Sequence, residues 1–386
     1  MLNEIKQLIK IFFVKFHNLL MRSGMIFPVK NNQIYFSSHN KQYSCSPKCI
    51  YEYIKKIYGD KFYYIWIGDD KNNIGDSHTI FIKYKSIKDN YYLLTSKIII
   101  SNQGFPARIP FRKNQILFDT WHGMAYKKIG IRDSEKKKNH YLNFMVKTIG
   151  KRTDFILSPC KKFTDTISEA LLINSSKFLP FGLPRNDLFF SSSLDKNMIK
   201  NKLEIDASLS IILYAPTYRG EPNVNSYKLS DAGLDFTAVI NAAAARFKKK
   251  FILLYRAHHA MNNMDLDGDK FKNVTSYPDM QDLLYIADIM ITDYSSTIWD
   301  FSFAFRPCFL FTPDLDNYID DRNFYFPISE WPFPFAMTNE KLCENILNFN
   351  EEDNVKRIKK HHAELGSYEN GNATKKASEF ILNLLN

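Results

Sequence analysis

The 386-residue sequence contains no run of about 18 uninterrupted apolar residues, the minimum for a membrane-spanning helix. It has no short apolar run followed by a small-residue cleavage site, so no secretory signal is expected. Its five cysteines (Cys45, Cys49, Cys160, Cys308, Cys343) are scattered and odd in number, which suits a reducing cytoplasm better than a disulfide framework. Only Cys45 and Cys49 lie close, and a lone C-x3-C is weak evidence for zinc. Phosphate-cradling glycine motifs are missing. Neither G-x-x-x-x-G-K-[ST] nor G-x-G-x-x-G occurs, which disfavours ordinary NTPase and NAD readings. The G-x-S-x-G nucleophile elbow is absent too, so a hydrolase triad has little support. Finally, acidic residues are in deficit: 41 Asp+Glu face 52 Lys+Arg, a net charge of +11. A chain of that balance suits an anionic partner, whether nucleic acid, anionic lipid or a phosphorylated substrate.

What is present is the composition of a folded globular protein, 45% hydrophobic and 24% charged, long enough for about two domains. The positive charge is concentrated. Residues 1–30 carry Lys6, Lys10, Lys15, Arg22 and Lys30 against Glu4, a net +4. Residues 105–152 hold twelve Lys/Arg against Asp119, Asp133 and Glu135, a net +9, leaving the remainder at −2. Lys136-Lys137-Lys138 alone reads most simply as a solvated surface run.

In the first segment, Ile5, Leu8, Ile9, Phe12, Phe16, Leu19 and Leu20 recur at helical spacing, with Lys6, Lys10 and Lys15 on another side. Such a basic amphipathic helix can lie in a membrane interface over anionic headgroups, or pack on the protein's own core. Residues 1–30 are therefore expected to be a membrane-associating helix. From residue 31 short β-rich runs alternate with helical stretches. Strands are expected at Gln33–Ser37, Phe62–Ile67, Lys97–Ser101, Gln115–Asp119 and Phe155–Ser158, with helices at Pro47–Ile57 and Ser86–Thr95. A second series begins at Leu209–Tyr214 and continues with Phe251–Tyr255, Ile289–Thr292 and Cys308–Phe311. Its expected helices are Phe236–Phe247, Met280–Ala287 and Ser296–Phe303. Strands alternating with helices indicate an α/β fold with parallel sheets. The expected division is 31–190 and 191–386, two Rossmann-like domains facing a central cleft, with ligands at the carboxyl ends of strands.

Four loops sit at such ends. In Asp119-Thr-Trp-His-Gly-Met-Ala-Tyr-Lys-Lys-Ile-Gly130, His122 can serve as a general base near neutrality, with Gly123, Lys127 and Lys128 supplying freedom and positive field. A buried, backbone-satisfied histidine is the bland alternative. In Ala215-Pro-Thr-Tyr-Arg-Gly220, Thr217 and Arg219 could grip an anion or belong to a simple turn. In Tyr255-Arg-Ala-His-His259, Arg256 and His258 alternate on one side of an extended segment and could reach one diphosphate. The paired histidines lack a carboxylate or cysteine to complete a metal site, and no metal or cofactor is expected. In Ile289-Met-Ile-Thr-Asp-Tyr-Ser-Ser-Thr-Ile-Trp-Asp300, a strand ends and two serines open a helix. Ser295 reads as an N-cap, and hydroxyls with exposed N–H groups at a helix start form an anion site.

Taken in order, these motifs resemble the CDP-glycerol glycerophosphotransferase family, which includes teichoic acid primases and polymerases and related capsule polymerases. The resemblance rests on Ser37–Tyr43, Pro47–Tyr53, Asn102–Gly130, Phe181-Gly-Leu-Pro-Arg-Asn-Asp187, the three later loops and Cys308–Asp314. It implies a glycosyltransferase-B arrangement, an acceptor-side N-terminal domain and a nucleotide-donor C-terminal domain. It also implies transfer of an alditol phosphate, most simply glycerol phosphate, from a CDP-alditol to a hydroxyl of a lipid-linked or growing polymer, with release of CMP. His122 would then deprotonate the acceptor. Arg256, His258, Thr292, Ser295 and Ser296 would hold the donor diphosphate, Asp293 would orient the serine loop, and Asp300 would meet the ribose. The chain departs from the family's pattern at Cys45-Ser46-Pro47 and at Met124-Ala-Tyr-Lys127, which opens the question of the acceptor. A ribitol-phosphate transferase or a nucleotide-sugar glycosyltransferase would share the fold. A nucleic-acid partner is not expected, because the basic stretch surrounds His122. The expected location is peripheral, at the inner face of a bacterial cytoplasmic membrane.

Overall fold

The computed structural model describes residues 2–70, 74–132, 139–191, 194–217, 233–256, 270–316, 318 and 324–385. They form two compact units, Met1–Asp187 with Gly366–Asn386, and Leu188–Leu365.

The first unit begins with helix α1 (Leu2–Met21) and continues β1 (Lys30–Ser37), α2 (Cys45–Tyr58), β2 (Tyr63–Ile67), β3 (Thr79–Ile82), α3 (Ile87–Thr95) and β4 (Ser96–Ser101). It then adds β5 (Ile116–Asp119), α4 (His140–Arg152), β6 (Phe155–Leu157), α5 (Lys161–Leu171) and β7 (Phe178–Leu179). All seven strands are parallel, in the order β3-β2-β1-β4-β5-β6-β7. Parallel strands buried on both faces read as continuous apolar runs, as Tyr-Tyr-Ile-Trp-Ile in β2 does. Alternation along β1 sends Ile34 and Phe36 into one core layer, with Trp66, Ile100 and Phe118. Tyr35 goes into the other, with Ile65, Leu93, Leu94 and Ile99. The Ser86 hydroxyl accepts from Asp89 N–H at 3.1 Å to start α3, and Asn139 caps α4 through Leu142 N–H at 2.9 Å.

Helix α1 lies along α4. Gln7 accepts from the His140 N–H at 2.7 Å, Asn18 donates to the Ala107 carbonyl at 3.2 Å, and Lys10 and Lys15 sit over the rings of Tyr141 and Phe144. Its other side leaves Ile5, Leu8, Ile9, Phe12, Phe13, Phe16, Leu19 and Leu20 exposed. No helix among the described residues is long and apolar enough to cross a membrane.

The second unit contains α6 (Lys196–Lys202), β8 (Ser210–Tyr214), α7 (Phe236–Phe247), β9 (Phe251–Tyr255), β10 (Phe271–Asn273), α8 (Met280–Ile286) and β11 (Ile289–Thr292). It closes with α9 (Thr297–Ser302), β12 (Cys308–Phe311), β13 (Phe335–Ala336) and two helices, Asn339–Leu347 and Glu351–Leu365. Its six strands are again parallel, in the order β10-β9-β8-β11-β12-β13. Ile212, Leu253, Ile291 and Phe309 form the centre of its core. In both sheets the strand order reverses about the first strand, between β1 and β4 and between β8 and β11. These are the switch points at which open α/β sheets hold ligands.

The Rossmann-like reading therefore holds for each unit. The final helix, Ala373–Asn383, differs from the expected 191–386 division because it returns to the first unit. Ala377 and Ile381 pack in the layer with Phe118, and the Asp187 carboxylate accepts from the Ala373 and Thr374 N–H groups at 3.0 and 2.7 Å. The apolar stripe of that helix completes the cover of the first sheet, which sequence position alone does not reveal. Strands β3, β7, β10 and β13, with two to four residues each, carry too little pattern to be expected.

Candidate active site

In the first unit the loop after β5 turns sharply. Trp121 takes φ +54° and Gly123 φ +133°, a pair of left-handed conformations that lifts His122 between them. The strain at Trp121 is held by the Asp119 carboxylate, which accepts from its N–H at 2.8 Å, and by contacts of its ring with His122 and Phe163. Burial pushes the Asp119 carboxyl up to about 7, against the lowering effect of the Trp121 N–H.

His122 Nδ1 lies 2.7 Å from the Asn102 carbonyl oxygen. A carbonyl can only accept, so Nδ1 carries the proton and Nε2 is the basic nitrogen. The surrounding protein disfavours the imidazolium and lowers its pKa to about 4. Desolvation dominates, the Asn102 bond opposes it, and the charges of Arg185 and His39 add to it. The residue as a whole is exposed, and the ring is neutral at pH 7. Arg185 fixes the loop from behind: its Nη2 donates to the His122 carbonyl at 2.9 Å, and its Nη1 donates to Cys45 Sγ at 3.5 Å. Gly123 is buried, and Lys127 and Lys128 are half-buried on the same loop.

In the second unit, Asp293 joins two loops at the switch point. Its carboxylate accepts from the Thr217 N–H at 2.9 and 3.0 Å, from the Thr217 hydroxyl, and from the Tyr294 N–H at 2.6 Å. The buried Thr292 hydroxyl donates to the Ala215 carbonyl at 2.6 Å, so it also ties the loops. Ser295 Oγ accepts from Thr297 N–H at 3.3 Å and from the Thr297 hydroxyl at 2.9 Å. The cap position itself is Ser296, whose side chain makes no capping bond, so the capping hydroxyl belongs to the residue before it. Arg256 follows β9. Its Nη1 donates to the Tyr277 carbonyl at 2.9 Å, and burial lowers its pKa to about 10, with Asp279 pulling the other way, so it stays charged at pH 7. Asp300 is fully buried and accepts from Gln281 Nε2 at 3.3 Å. Arg219, His258 and Lys136–Lys138 lie outside the described residues.

The structure thus groups Thr217, Thr292, Asp293, Ser295 and Ser296 on two bonded loops at one switch point, with Arg256 after the adjacent strand β9. His122, Gly123, Lys127 and Lys128 stand on one loop of the other unit. Sequence reasoning noted Phe181–Asp187 as a motif but gave Arg185 no role. A lone arginine between Pro184 and Asn186 carries no signal of a carbonyl sixty-three residues away. Among the described residues, no group of three or more His, Cys, Asp or Glu could hold a metal ion.

The sequence profile described as CDP-Glycerol:Poly(glycerophosphate) glycerophosphotransferase matches residues 19–383. A teichoic acid poly(glycerol phosphate) polymerase of Bacillus spizizenii is 29% identical, the alignment covering 96% of each chain. A teichoic acid glycerol-phosphate transferase of Staphylococcus aureus is also 29% identical over 98% of this chain and 99% of its own. A crystal structure of the wall teichoic acid polymerase TagF, soaked with CDPG, superposes with a TM-score of 0.83 at 24% identity, covering 99% of this chain and 97% of that one. That likeness shows a common glycosyltransferase-B-like fold.

Proposed function

The chain belongs to the CDP-Glycerol:Poly(glycerophosphate) glycerophosphotransferase family, and from that premise we propose that it transfers glycerol phosphate from CDP-glycerol to the terminal hydroxyl of a growing, lipid-linked cell-surface polymer. The observation that carries the chemistry is the Nδ1–Asn102 bond, which makes Nε2 of a neutral His122 the proton acceptor.

In the proposed reaction the acceptor hydroxyl oxygen attacks the phosphorus that bears glycerol. A new P–O bond forms, the anhydride P–O bond breaks, CMP departs with the bonding pair, and the hydroxyl proton passes to His122 Nε2. Little covalent chemistry is asked of the protein; positioning and charge stabilisation do the work. Arg256 supplies charge to the leaving phosphate, joined in this reading by His258 and Arg219. Ser295 and Ser296 contribute hydroxyls. Thr292 and Asp293 hold the loops rather than the ligand, since the Thr292 hydroxyl and both Asp293 oxygens are bonded within the protein. Thr217 joins the same framework, and Asp300, a buried residue of α9, supports the ribose side indirectly. Gly123, Lys127 and Lys128 face the acceptor, and no metal or cofactor is required.

The exposed apolar row of α1 supports attachment to an anionic membrane surface at the cytoplasmic face, where a lipid-linked acceptor would be reached. The experiment is a donor panel: CDP-glycerol, CDP-ribitol and nucleotide sugars offered with a glycerol-phosphate acceptor. CMP release with CDP-glycerol and its loss in His122→Ala are expected. Release only from CDP-ribitol, or turnover only with nucleotide sugars, would redirect the reading.

A further inference from the structure

At the switch point of the first sheet, a cavity of about 250 Å³ opens between the ends of β1 and β4. Tyr35 and Ser37 line it from β1, Ile99 and Ser101 from β4, and Leu93, Phe105 and Ile149 form apolar wall. Two cations, Lys41 and Arg108, project onto it. Arg108 Nη1 donates to Asn90 Oδ1 at 3.1 Å, while Nη2 is buried and has no hydrogen-bond partner. Such a nitrogen is costly to leave unsatisfied, and of the acceptors that could satisfy it an anion binds most strongly. Lys41 Nζ stands 4.4 Å from the centre of the Tyr84 ring, and burial lowers its pKa. Asp89, the acidic group that acts on Lys41, is itself hydrogen-bonded: Oδ1 accepts from the Tyr35 hydroxyl and Oδ2 from the Lys85 N–H, both at 2.7 Å.

The cavity adjoins the proposed base. Its wall includes Ser101, Gln103 and Gly104, and the intervening Asn102 carbonyl receives the His122 Nδ1–H. Gln103 also bonds the His39 ring, whose charge acts on His122.

We propose that this cavity is an anion subsite for one phosphodiester of the acceptor chain, gripped by Arg108 and Lys41 so that the terminal hydroxyl is delivered to His122. The volume is below the roughly 300 Å³ of drug-sized pockets and suits one small polyol-phosphate unit. The assignment of the anion to the acceptor rests on the function proposed above; the anion site itself does not.

Calorimetry on the full chain tests both, with bis-glycerol phosphodiester and inorganic phosphate as separate probes. Arg108→Gln and Lys41→Gln are the variants, Arg108→Lys the charge-retaining control, and CDP-glycerol binding the check on folding. The expected result is diester binding weakened about tenfold in each Gln variant and largely retained in Arg108→Lys. The KM for a glycerol-phosphate oligomer should rise in parallel. If inorganic phosphate binds and the diester does not, the cavity is a free-phosphate site and the acceptor assignment falls. If neither probe binds, or both bind the variants as tightly as the parent, the subsite is wrong. If the diester binds as expected but no donor yields CMP, the subsite stands and the proposed function fails.

Discussion

The Nδ1 atom of His122 and the main-chain oxygen of Asn102, residues from two different strand ends, lie 2.7 Å apart. The bond decides which ring nitrogen is basic, and it ties the loop after β5 to the end of β4. Removing the imidazole should therefore remove catalysis while leaving donor binding in place. His122→Ala is expected to lower kcat by about 10²–10⁴-fold with CDP-glycerol affinity unchanged. Equal losses in both would mean that the residue supports the fold instead.

The pH profile follows from the environment of that ring. Its pKa is shifted down, toward about 4, so the neutral, active form persists below the ordinary histidine range. The acid limb of kcat/KM should fall below pH 6.5. A limb near pH 7 that disappears in Asp119→Asn would assign the titration to the buried Asp119 carboxyl, whose pKa is about 7.

Arg185 reaches the reaction through the carbonyl of His122, 2.9 Å from its Nη2, and through its charge. Arg185→Gln should lower kcat by roughly tenfold with little change in donor KM, a loss of about 1.4 kcal/mol. Because the positive charge helps to depress the His122 pKa, its removal should also move the acid limb to higher pH. A kcat loss without that movement would reduce Arg185 to a purely structural support.

Asp293 holds both Thr217 and Tyr294, and its removal frees both loops at once. Asp293→Ala should raise the KM for CDP-glycerol about tenfold or more, since the N–H groups it serves are left unsatisfied. Steady-state kinetics at saturating acceptor measure this; an unchanged donor KM would place the donor elsewhere.

Stability should depend on two histidines that pack against α9. Burial lowers the pKa of His361 to about 3 and that of His362 to about 4. Between pH 6.5 and 4 the unfolded chain binds protons at these rings that the folded chain does not. Stability from this source is present above pH 6.5 and is lost as the pH falls. Denaturant midpoints should drop over that window, and His361→Gln should flatten the slope. An equally steep slope in the variant would assign the acid sensitivity to other groups.

Much of this arrangement was legible in the sequence. The strands Phe251–Tyr255, Ile289–Thr292 and Cys308–Phe311 stand where their apolar runs place them, because central parallel strands are buried on both faces. The loops after the first two of these, and after β8, carry candidate residues for the same topological reason. The sequence could not show that Thr292 spends its hydroxyl on Ala215, that Asp300 is buried, or that Arg185 reaches His122. Each depends on contacts between segments tens of residues apart. The last helix was misplaced because its apolar stripe fits a sheet in either unit, and only packing against Phe118 chooses the first.

The central claim is phosphodiester formation with His122 as base. Phosphorus NMR of the protein with CDP-glycerol and a glycerol-phosphate-primed acceptor tests it most directly. The account predicts one new phosphodiester for each CMP released, with both signals absent in His122→Ala. CMP accumulating without a phosphodiester, or a phosphodiester forming at the parent rate in His122→Ala, would contradict it.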